Sequence, residues 1–263
     1  MNSNTLNRPY SAPALLATAL LDPAGNVRLL QRAIGLARTT AAHLERLPAD
    51  ADRALLNQRA QLWSRALLEV MGVDMALHEH GQGPTDDPVL FVSNHRSYVD
   101  ILLMLAARPC CFLAKEDVAH WPIIGPAARR VGTVFVQRQS ASSRQASRRA
   151  IGAMLEAGHN VVIFPEGTTH PSPGCRTFRK GAFEVAHALG VGVLPAAIEY
   201  ARHMDAWEDE SAGAHFFQCF RQRAVRARVD IGPILRDSSP QVLCDRAHAW
   251  IDGMLREHDW PVE

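Results

Sequence analysis

Short apolar segments alternate with amphipathic segments from residue 73 to the end of the chain, and this alternation constrains the fold more than any other feature. The apolar segments span four to eight residues, which suits strands, and the segments between them are long enough for helices. We therefore expect an α/β domain in which helices cover a sheet. The predicted strands are 75–79, 89–92, 111–114, 133–136, 160–164, 193–198 and 224–231, and the predicted helices are 97–107, 123–131, 142–157, 179–189 and 240–257. Residues 201–218 show neither pattern and are expected to form an inserted loop.

Two further helices are predicted ahead of this region, at 26–46 and 52–71, so that an N-terminal helical segment over residues 1–72 precedes an α/β domain over residues 73–263. Apolar residues that include Val27, Leu30 and Ile34 share one side of the first helix. Residues 1–65 contain eight arginines and four acidic residues, and a basic amphipathic helix pair of this kind can lie on an anionic membrane. The alternative, in which the two helices simply cover the main domain, is equally open.

The composition narrows the classes of function and the compartment. A formal net charge of +1 over 263 residues gives no global attraction to nucleic acid. The five cysteines form no Cys-x-x-Cys pair and suggest no disulfide framework, which fits a reducing cytoplasm. The sequence contains no convincing signal peptide and no apolar run of about 20 residues that would span a bilayer. We expect a cytoplasmic protein; if its substrate is a lipid, the protein must meet it at the membrane surface, on the inner face of the cell membrane.

The first segment with chemical potential follows the predicted strand 89–92, where Asn94 and His95 precede a helix that contains Asp100. Loops at strand ends build the sites of most α/β proteins, and Asp100 lies one turn into the helix, within reach of His95. A carboxylate on the imidazole would fix its tautomer and stabilise the imidazolium, so that His95 could act as a general base toward a substrate hydroxyl. The alternative is that Asn94 caps the helix, Asp100 favours its N-terminal end, and His95 is incidental.

A second segment begins at Lys115 and extends through Gly132 to Arg138, which follows a predicted strand. Residues 129–149 contain six arginines and no acidic residue, which suits a phosphate-bearing ligand. For the arginines on the predicted helix, a solvated helix face is the preferred interpretation; these are Arg144, Arg148 and Arg149.

A third segment, Phe164-Pro165-Glu166-Gly167-Thr168, follows the predicted strand 160–164. Pro165 ends the strand, and Gly167 allows a sharp turn with backbone amides free to face a ligand. Glu166 could hold substrate hydroxyls or orient Arg138, or it could be a solvated acid at an ordinary turn.

In this order and spacing, the segments resemble the four motif blocks of the glycerolipid acyltransferases, and they are most similar to those of the bacterial 1-acylglycerol-3-phosphate O-acyltransferases. The resemblance covers roughly residues 75–200. The blocks are Asn94-His95 with Asp100; Gly132 with Phe135 and Arg138; Phe164 to Thr168; and the apolar strand that contains Pro195.

The resemblance implies the family's α/β fold with a mixed sheet, and an O-acyl transfer in which His95 and Asp100 are catalytic. The acyl donor would be acyl-CoA or acyl-carrier protein, the acceptor a lysophospholipid such as 1-acylglycerol-3-phosphate, and no metal or bound cofactor is implied. Arg138 would bind the acceptor's phosphate, with Glu166 and Gly167 shaping its pocket. The full set of candidate substrate-binding residues is Lys115, Arg138, Glu166, Gly167, Thr168 and Arg179.

One position departs from the family pattern. Members with a phosphate acceptor commonly carry arginine after Glu-Gly-Thr, and this chain has Thr169 there, followed by an insertion over residues 170–174. Arg176 or Arg179 could replace the missing charge, or the acceptor could be another molecule such as a lyso-ornithine lipid or a hydroxylated secondary metabolite. A non-catalytic lipid-binding or carrier-binding module, and a thioesterase that uses water as acceptor, are the remaining alternatives.

Overall fold

A mixed sheet of seven strands runs through the part of the chain that the computed structural model describes, which comprises residues 19–48, 50–81, 87–121, 124–130, 133–136, 141–207 and 211–257. The strands are β1 (Val73–Glu79), β2 (Val89–Ser93), β3 (Cys111–Lys115), β4 (Val134–Val136), β5 (Val161–Ile163), β6 (Gly192–Tyr200) and β7 (Val225–Ile231). Their order is β1-β7-β6-β2-β5-β3-β4, and neighbours are parallel except β6 and β7. All seven predicted strands and the mixed α/β class are confirmed.

Helices cover both faces of the sheet. They are α1 (Pro23–Glu45), α2 (Arg53–Met71), α3 (Val99–Ala107), α4 (Ile124–Arg130), α5 (Ala141–Glu156), α6 (Gly181–Ala188), α7 (Ala212–Cys219) and α8 (Pro240–Glu257), with 3₁₀ turns at Glu116–His120 and His203–Asp205. Strand β2 shows why both faces are needed, because Phe91 packs into the core under α2 and α3 while Leu90 and Val92 pack under α5, α6 and α8. A strand with apolar residues on both faces must be covered on both.

The predicted irregular loop over residues 201–218 is wrong, because this region contains a 3₁₀ turn and helix α7. Ser211 is the N-cap of α7, and its hydroxyl accepts a hydrogen bond from the backbone N–H of Ala214 at 3.2 Å. A serine cap of this kind is a helix signal. The helix has only eight residues, which is too short for the apolar period to be recognised in the sequence.

The two N-terminal helices are confirmed, and they share a core with the sheet. Asp22 and Asp52 are their N-caps, and Gly72 ends α2 in the left-handed conformation with φ of 68°. Trp63 and Leu67 of α2 are buried in the same apolar cluster as α3 and the sheet. Leu29, Leu36 and Leu44 of α1 pack partly buried against the same cluster, so both helices cover the main domain, as one of the two interpretations held.

Helix α1 carries apolar residues on two sides, and one of these sides faces away from the domain. Its buried residues are Gly25, Arg32 and Thr40, whereas Val27, Leu30 and Ile34 are 55%, 61% and 45% exposed. The side with these three exposed residues leaves the predicted contact with a membrane open. In the described residues, no helix combines the length and the apolar character that crossing a bilayer requires.

Arg32 explains the orientation of α1. Its guanidinium donates hydrogen bonds of 2.8–2.9 Å to the carbonyl oxygens of Phe220, Gln222 and Arg223, in the turn between α7 and β7. Burial lowers the pKa of Arg32, but the three carbonyl acceptors compensate for part of the lost hydration. This buried arginine attaches α1 to the turn before β7, in addition to the apolar contacts that the helix makes with the core.

Candidate active site

His95 and Asp100 lie together at the carboxyl end of β2. The imidazole Nδ1 is 2.8 Å from Oδ2 of Asp100; the Asp100 side chain is fully buried, and that of His95 is 18% exposed. The imidazole also stacks on Phe164, with ring centroids 4.0 Å apart. Since the carboxylate faces Nδ1, the proton of the neutral imidazole belongs on Nδ1, and Nε2 is the nitrogen that can accept a proton.

Four hydrogen-bond donors surround the Asp100 carboxylate. Oδ2 accepts from the backbone N–H of Arg96 at 2.6 Å and of Ser97 at 2.9 Å as well as from His95, and Oδ1 accepts from the hydroxyl of Tyr200 at 2.7 Å. Burial and the charge of Asp100 raise the pKa of Tyr200 well above its usual value, so the phenol stays protonated and donates. A buried carboxylate requires donors of this kind.

The alternative in which Asn94 caps the helix is wrong. Tyr98 occupies the N-cap position of α3 and makes no side-chain capping bond. Asn94 instead joins the end of β2 to β6, because its amide donates to the carbonyl of Ile198 at 2.7 Å and accepts from the N–H of Ile198 at 2.8 Å. Asp100 does lie in the first turn of α3, and its two backbone contacts satisfy the N–H groups of Arg96 and Ser97 in the loop before the helix.

Glu166 is buried, so the alternative of a solvated acid is wrong. Its Oε1 accepts from the backbone N–H of His95 at 3.1 Å, and its Oε2 accepts from the N–H of Arg176 at 3.0 Å and contacts Nε2 of His170. The carboxylate therefore joins the turn after β5 to the loop that carries His95. Both of its oxygens contact protein groups in this structure.

Gly167, Thr168 and Arg179 come together at the surface beside Glu166. Gly167 has φ of 80°, and a Cβ atom there would lie 2.7 Å from Cζ of Arg179, so the glycine is needed both for the turn and for the close approach of the guanidinium. Thr168 and Arg179 are exposed, as is Arg176. These positions can meet a ligand without rearrangement of the core.

Two candidate substrate-binding residues are not described by the structure. Arg138, like Gly132 of the same motif block, lies outside the described residues. Lys115 is the last residue of β3, and its side chain also falls outside the described part. Their predicted roles stay predictions.

The arginines of residues 129–149 separate into two groups where they are described. Arg130 donates to the carbonyls of Leu47 and Pro48, and Arg129 lies over the ring of Phe135, so both have structural contacts. The three arginines on α5 are exposed, as expected for a solvated helix face; these are Arg144, Arg148 and Arg149.

A buried polar cluster beneath the site was not predicted. The Arg96 guanidinium donates to the carbonyls of His170 and Gly174 at 3.3 and 3.1 Å and lies 3.3 Å from Oε2 of Glu199. Burial lowers the pKa of His170, although Glu166 opposes the shift. No periodicity or motif marks Arg96 or His170 as buried, because both stand in polar segments of the sequence.

An aromatic group borders the site on the side of α7. Tyr98 lies edge-on to Trp121 and Trp207, with centroids 6.1 and 5.4 Å apart, and Trp207 donates its backbone N–H to the carbonyl of Arg96 at 2.7 Å. His215 of α7 is fully buried, with Nδ1 3.1 Å from the hydroxyl of Tyr98. Burial lowers the pKa of His215 to about 4, so it is neutral at physiological pH.

The geometry can be compared with known proteins. The chain is 38% identical over 183 residues to a lyso-ornithine lipid O-acyltransferase of Pseudomonas aeruginosa, an alignment that covers 70% of this chain and 69% of that protein. The family model described as Acyltransferase matches residues 75–199. The chain belongs to the acyltransferase family. The resemblance inferred from the motif blocks is therefore confirmed, and the His95–Asp100 pair lies within the matched residues.

Other acyltransferases extend this comparison. A 1-acyl-sn-glycerol-3-phosphate acyltransferase of Neisseria meningitidis is 36% identical over 143 residues, which cover 52% of this chain and 56% of that protein. The crystal structure of a 1-acyl-sn-glycerophosphate acyltransferase from Thermotoga maritima has the same fold, with a TM-score of 0.70 and 20% identity, and the match covers 92% of this chain and 97% of that one.

Proposed function

We propose that this acyltransferase transfers a fatty acyl group from a thioester, carried by coenzyme A or acyl-carrier protein, to the hydroxyl of a lysophospholipid such as 1-acylglycerol-3-phosphate. The observation that carries the proposal is the 2.8 Å contact between Nδ1 of His95 and the buried Asp100 carboxylate. It leaves Nε2 to accept a proton on the partly exposed side of the ring. No metal ion or bound cofactor takes part in the proposed reaction.

In the proposed reaction, Nε2 of His95 takes the proton of the acceptor hydroxyl while the hydroxyl oxygen attacks the thioester carbonyl carbon. The new C–O bond forms, the C–S bond breaks, and the leaving thiolate recovers the proton from the imidazolium. Asp100 stabilises the imidazolium between these steps. The substrate supplies its own nucleophile, so no serine or cysteine of the protein needs to be acylated.

The site supports an anionic acceptor. Arg176 and Arg179 are exposed beside Gly167 and Thr168 and offer bidentate donors to a phosphate or carboxylate. Arg138 is the proposed contact to the acceptor's phosphate.

A lyso-ornithine lipid is the second candidate acceptor. The relative from Pseudomonas aeruginosa, named a lyso-ornithine lipid O-acyltransferase, aligns over 183 residues, compared with 143 for the relative named for 1-acyl-sn-glycerol-3-phosphate. Thr169 stands where many phosphate-specific members have arginine. A headgroup with a carboxylate carries less negative charge than a phosphate, so its binding site would need fewer positively charged side chains.

The decisive experiment supplies palmitoyl-CoA or palmitoyl-acyl-carrier protein with 1-acylglycerol-3-phosphate, with lyso-ornithine lipid, or with no acceptor, and measures thiol release and product mass. An acylated lipid formed only with acceptor supports the proposal and identifies the headgroup and the donor. Free fatty acid in every arm would identify a thioesterase instead, and no turnover in any arm would favour a binding module.

His95→Gln should lower the transfer rate by about 10²–10⁴-fold, because the general base is lost. The matched control is His80→Gln, since His80 also pairs with a buried carboxylate, at 2.6 Å from Asp230, but does so at the end of β1. The control should retain activity. Equal rates for His95→Gln and the wild type would refute the assignment of the base.

We also propose that α1 seats the protein on the membrane surface, at the inner face in the cell. The exposed apolar residues of α1, together with Leu20 and Leu21 just before it, can bury against lipid, and each side chain contributes up to roughly 1.5–3 kcal/mol when fully buried. Arg38 lies exposed on the same helix and suits an anionic surface.

The membrane proposal can be tested by replacing Val27, Leu30 and Ile34 with serine and measuring sedimentation with vesicles of equal parts phosphatidylglycerol and phosphatidylcholine. Binding should weaken at least about tenfold, because three exposed apolar side chains are lost. A variant with serine at Leu189 and Val242, which are exposed elsewhere, is the control and should bind as the wild type does. Equal binding by both variants would remove α1 from the membrane contact.

A further inference from the structure

The carboxyl end of β6 holds the loop that carries His95 at three successive residues. Ile198 exchanges two backbone hydrogen bonds with the side chain of Asn94, Glu199 contacts Arg96, and Tyr200 donates to Asp100. Loop residues 94–98 belong to neither a helix nor a strand, so their position depends on such contacts. Strand β6 is a rigid support, because it pairs with β2 on one side and β7 on the other.

The contact from Tyr200 differs from the other two because it reaches the acidic partner of the general base. Three donors converge on Oδ2 of Asp100, and within the described residues the donor to Oδ1 is the Tyr200 hydroxyl at 2.7 Å. Both side chains are buried, so water cannot replace the phenol without rearrangement. Removal of this donor would leave Oδ1 without the hydroxyl that faces it and concentrate the carboxylate's hydrogen bonding on Oδ2.

We propose that Tyr200 is a positioning residue for acyl transfer, whose hydroxyl orients the Asp100 carboxylate and, through it, the imidazole of His95. This inference rests on the proposed function. The phenol also moderates the charge of Asp100, because the positive end of its O–H dipole faces the carboxylate. Asp100 therefore orients the imidazole without holding its proton too strongly for return to the leaving thiolate.

Other titratable and charged groups face the His95–Asp100 pair, and substitution of Tyr200 does not change them. Glu166 approaches the backbone of His95 from the turn after β5, Arg96 lies next in the loop, and His215 faces Asp100 from α7. His170 donates its backbone N–H to the carbonyl of His95. A change in the hydrogen bond between His95 and Asp100 on loss of one hydroxyl can thus be assigned to the Tyr200–Asp100 contact.

The test is Tyr200→Phe, which keeps the ring and removes only the hydroxyl. We expect kcat to fall about tenfold with KM unchanged, since the variant loses one hydrogen bond to a buried charge near the reacting atoms and no substrate contact. We also expect the NMR signal of the proton on Nδ1 of His95 to move downfield, because the unmoderated Asp100 carboxylate accepts that proton more strongly.

Thr40→Val is the matched control. It removes a buried side-chain hydrogen bond, the 3.2 Å contact from Nε1 of Trp63 to Oγ1 of Thr40, between α1 and α2. It should lower thermal stability without changing kcat or the signal of the proton on Nδ1 of His95. Unchanged kcat and an unmoved signal in Tyr200→Phe would overturn the proposal, as would an equal fall of kcat in both variants.

A second protein tests the same contact if Tyr200→Phe does not fold. With 3-fluorotyrosine placed at position 200 only, the more acidic phenol is a stronger donor to Asp100, so the signal of the proton on Nδ1 of His95 should move upfield; an unchanged signal would overturn the proposal. The NMR measurement needs no substrate. Absence of acyl transfer in the wild type would therefore defeat the proposed function, whereas an unmoved signal would defeat the role of Tyr200.

Discussion

At the scale of single residues, Glu166 joins more separate segments of the chain than its place in a turn suggests. Its two oxygens receive donors from His95, Arg176 and His170, which belong to different parts of the chain. The carboxylate is buried, and a buried charge is tolerated only when its lone pairs are occupied by donors. Glu166 is therefore as important for the position of His95 as for any ligand.

Glu166→Gln should destabilise the protein by about 1–3 kcal/mol and lower the transfer rate, because an amide offers only one acceptor oxygen. In either orientation of the glutamine side chain, its NH₂ group faces at least one of the three donors and cannot accept a hydrogen bond from it. Chemical denaturation and initial rates measure the two effects. Glu184→Gln is the control. Glu184 is an exposed residue of α6 that pairs with Arg148 of α5, and its substitution should change stability by less than about 0.5 kcal/mol. Equal stability of both variants would contradict this account of Glu166.

Prediction from the sequence succeeded for residues whose partners are close in the chain. His95 and Asp100 are five positions apart across the start of a helix, so their contact follows from local geometry. Tyr200 lies 100 positions from Asp100, and their contact depends on β6 lying beside β2, which no local pattern specifies. The buried contacts of Arg96 to His170 and Gly174 likewise depend on the path of the loop over residues 170–176.

At the scale of elements, the sequence again predicted features that depend on neighbouring residues and did not predict features that depend on tertiary structure. The strands were found because buried strands such as β2 are apolar at nearly every position. The order of the strands in the sheet was not predicted, because two parallel strands joined by a helix need not be neighbours in the sheet. The face of α1 was misleading for another reason. Val27, Leu30 and Ile34 are exposed, and the helix contacts the domain through a buried arginine and through leucines on its other side.

The attachment of α1 can be tested with Arg32→Met, which retains an apolar stem and removes three hydrogen bonds to carbonyls of residues 220–223. Urea denaturation should show a loss of about 2–4 kcal/mol, since acceptors in a buried turn lose a charged donor. Amide hydrogen exchange in α1 should accelerate more than exchange in β2 or β6. Arg38→Met, on the exposed side of α1, is the control. Equal exchange in α1 of both variants would show that Arg32 does not attach the helix.

At the scale of the whole molecule, stability and catalysis share one polar region. The loop after β2, the turn after β5 and the end of β6 meet at the carboxyl edge of three adjacent parallel strands, and buried ionisable groups concentrate there. Helix α7 closes this region from one side through His215. Protonation of a single buried group in this region is therefore expected to affect the folding of the entire domain.

His215 provides a test of that expectation. Burial lowers its pKa to about 4, whereas an unfolded histidine titrates near 6.5, so between these values the unfolded chain binds more protons and stability falls as the pH decreases. From pH 7 to pH 5 the lost contribution is about 2 kcal/mol, measurable by urea denaturation. His215→Gln, which can still donate to the carbonyl of Asp205 and accept from Tyr98, should remove most of this loss. The control His187→Gln, at an exposed position of α6, should lose as much stability between pH 7 and pH 5 as the wild type does. An undiminished loss in His215→Gln would mean that the buried imidazole is not the group being titrated.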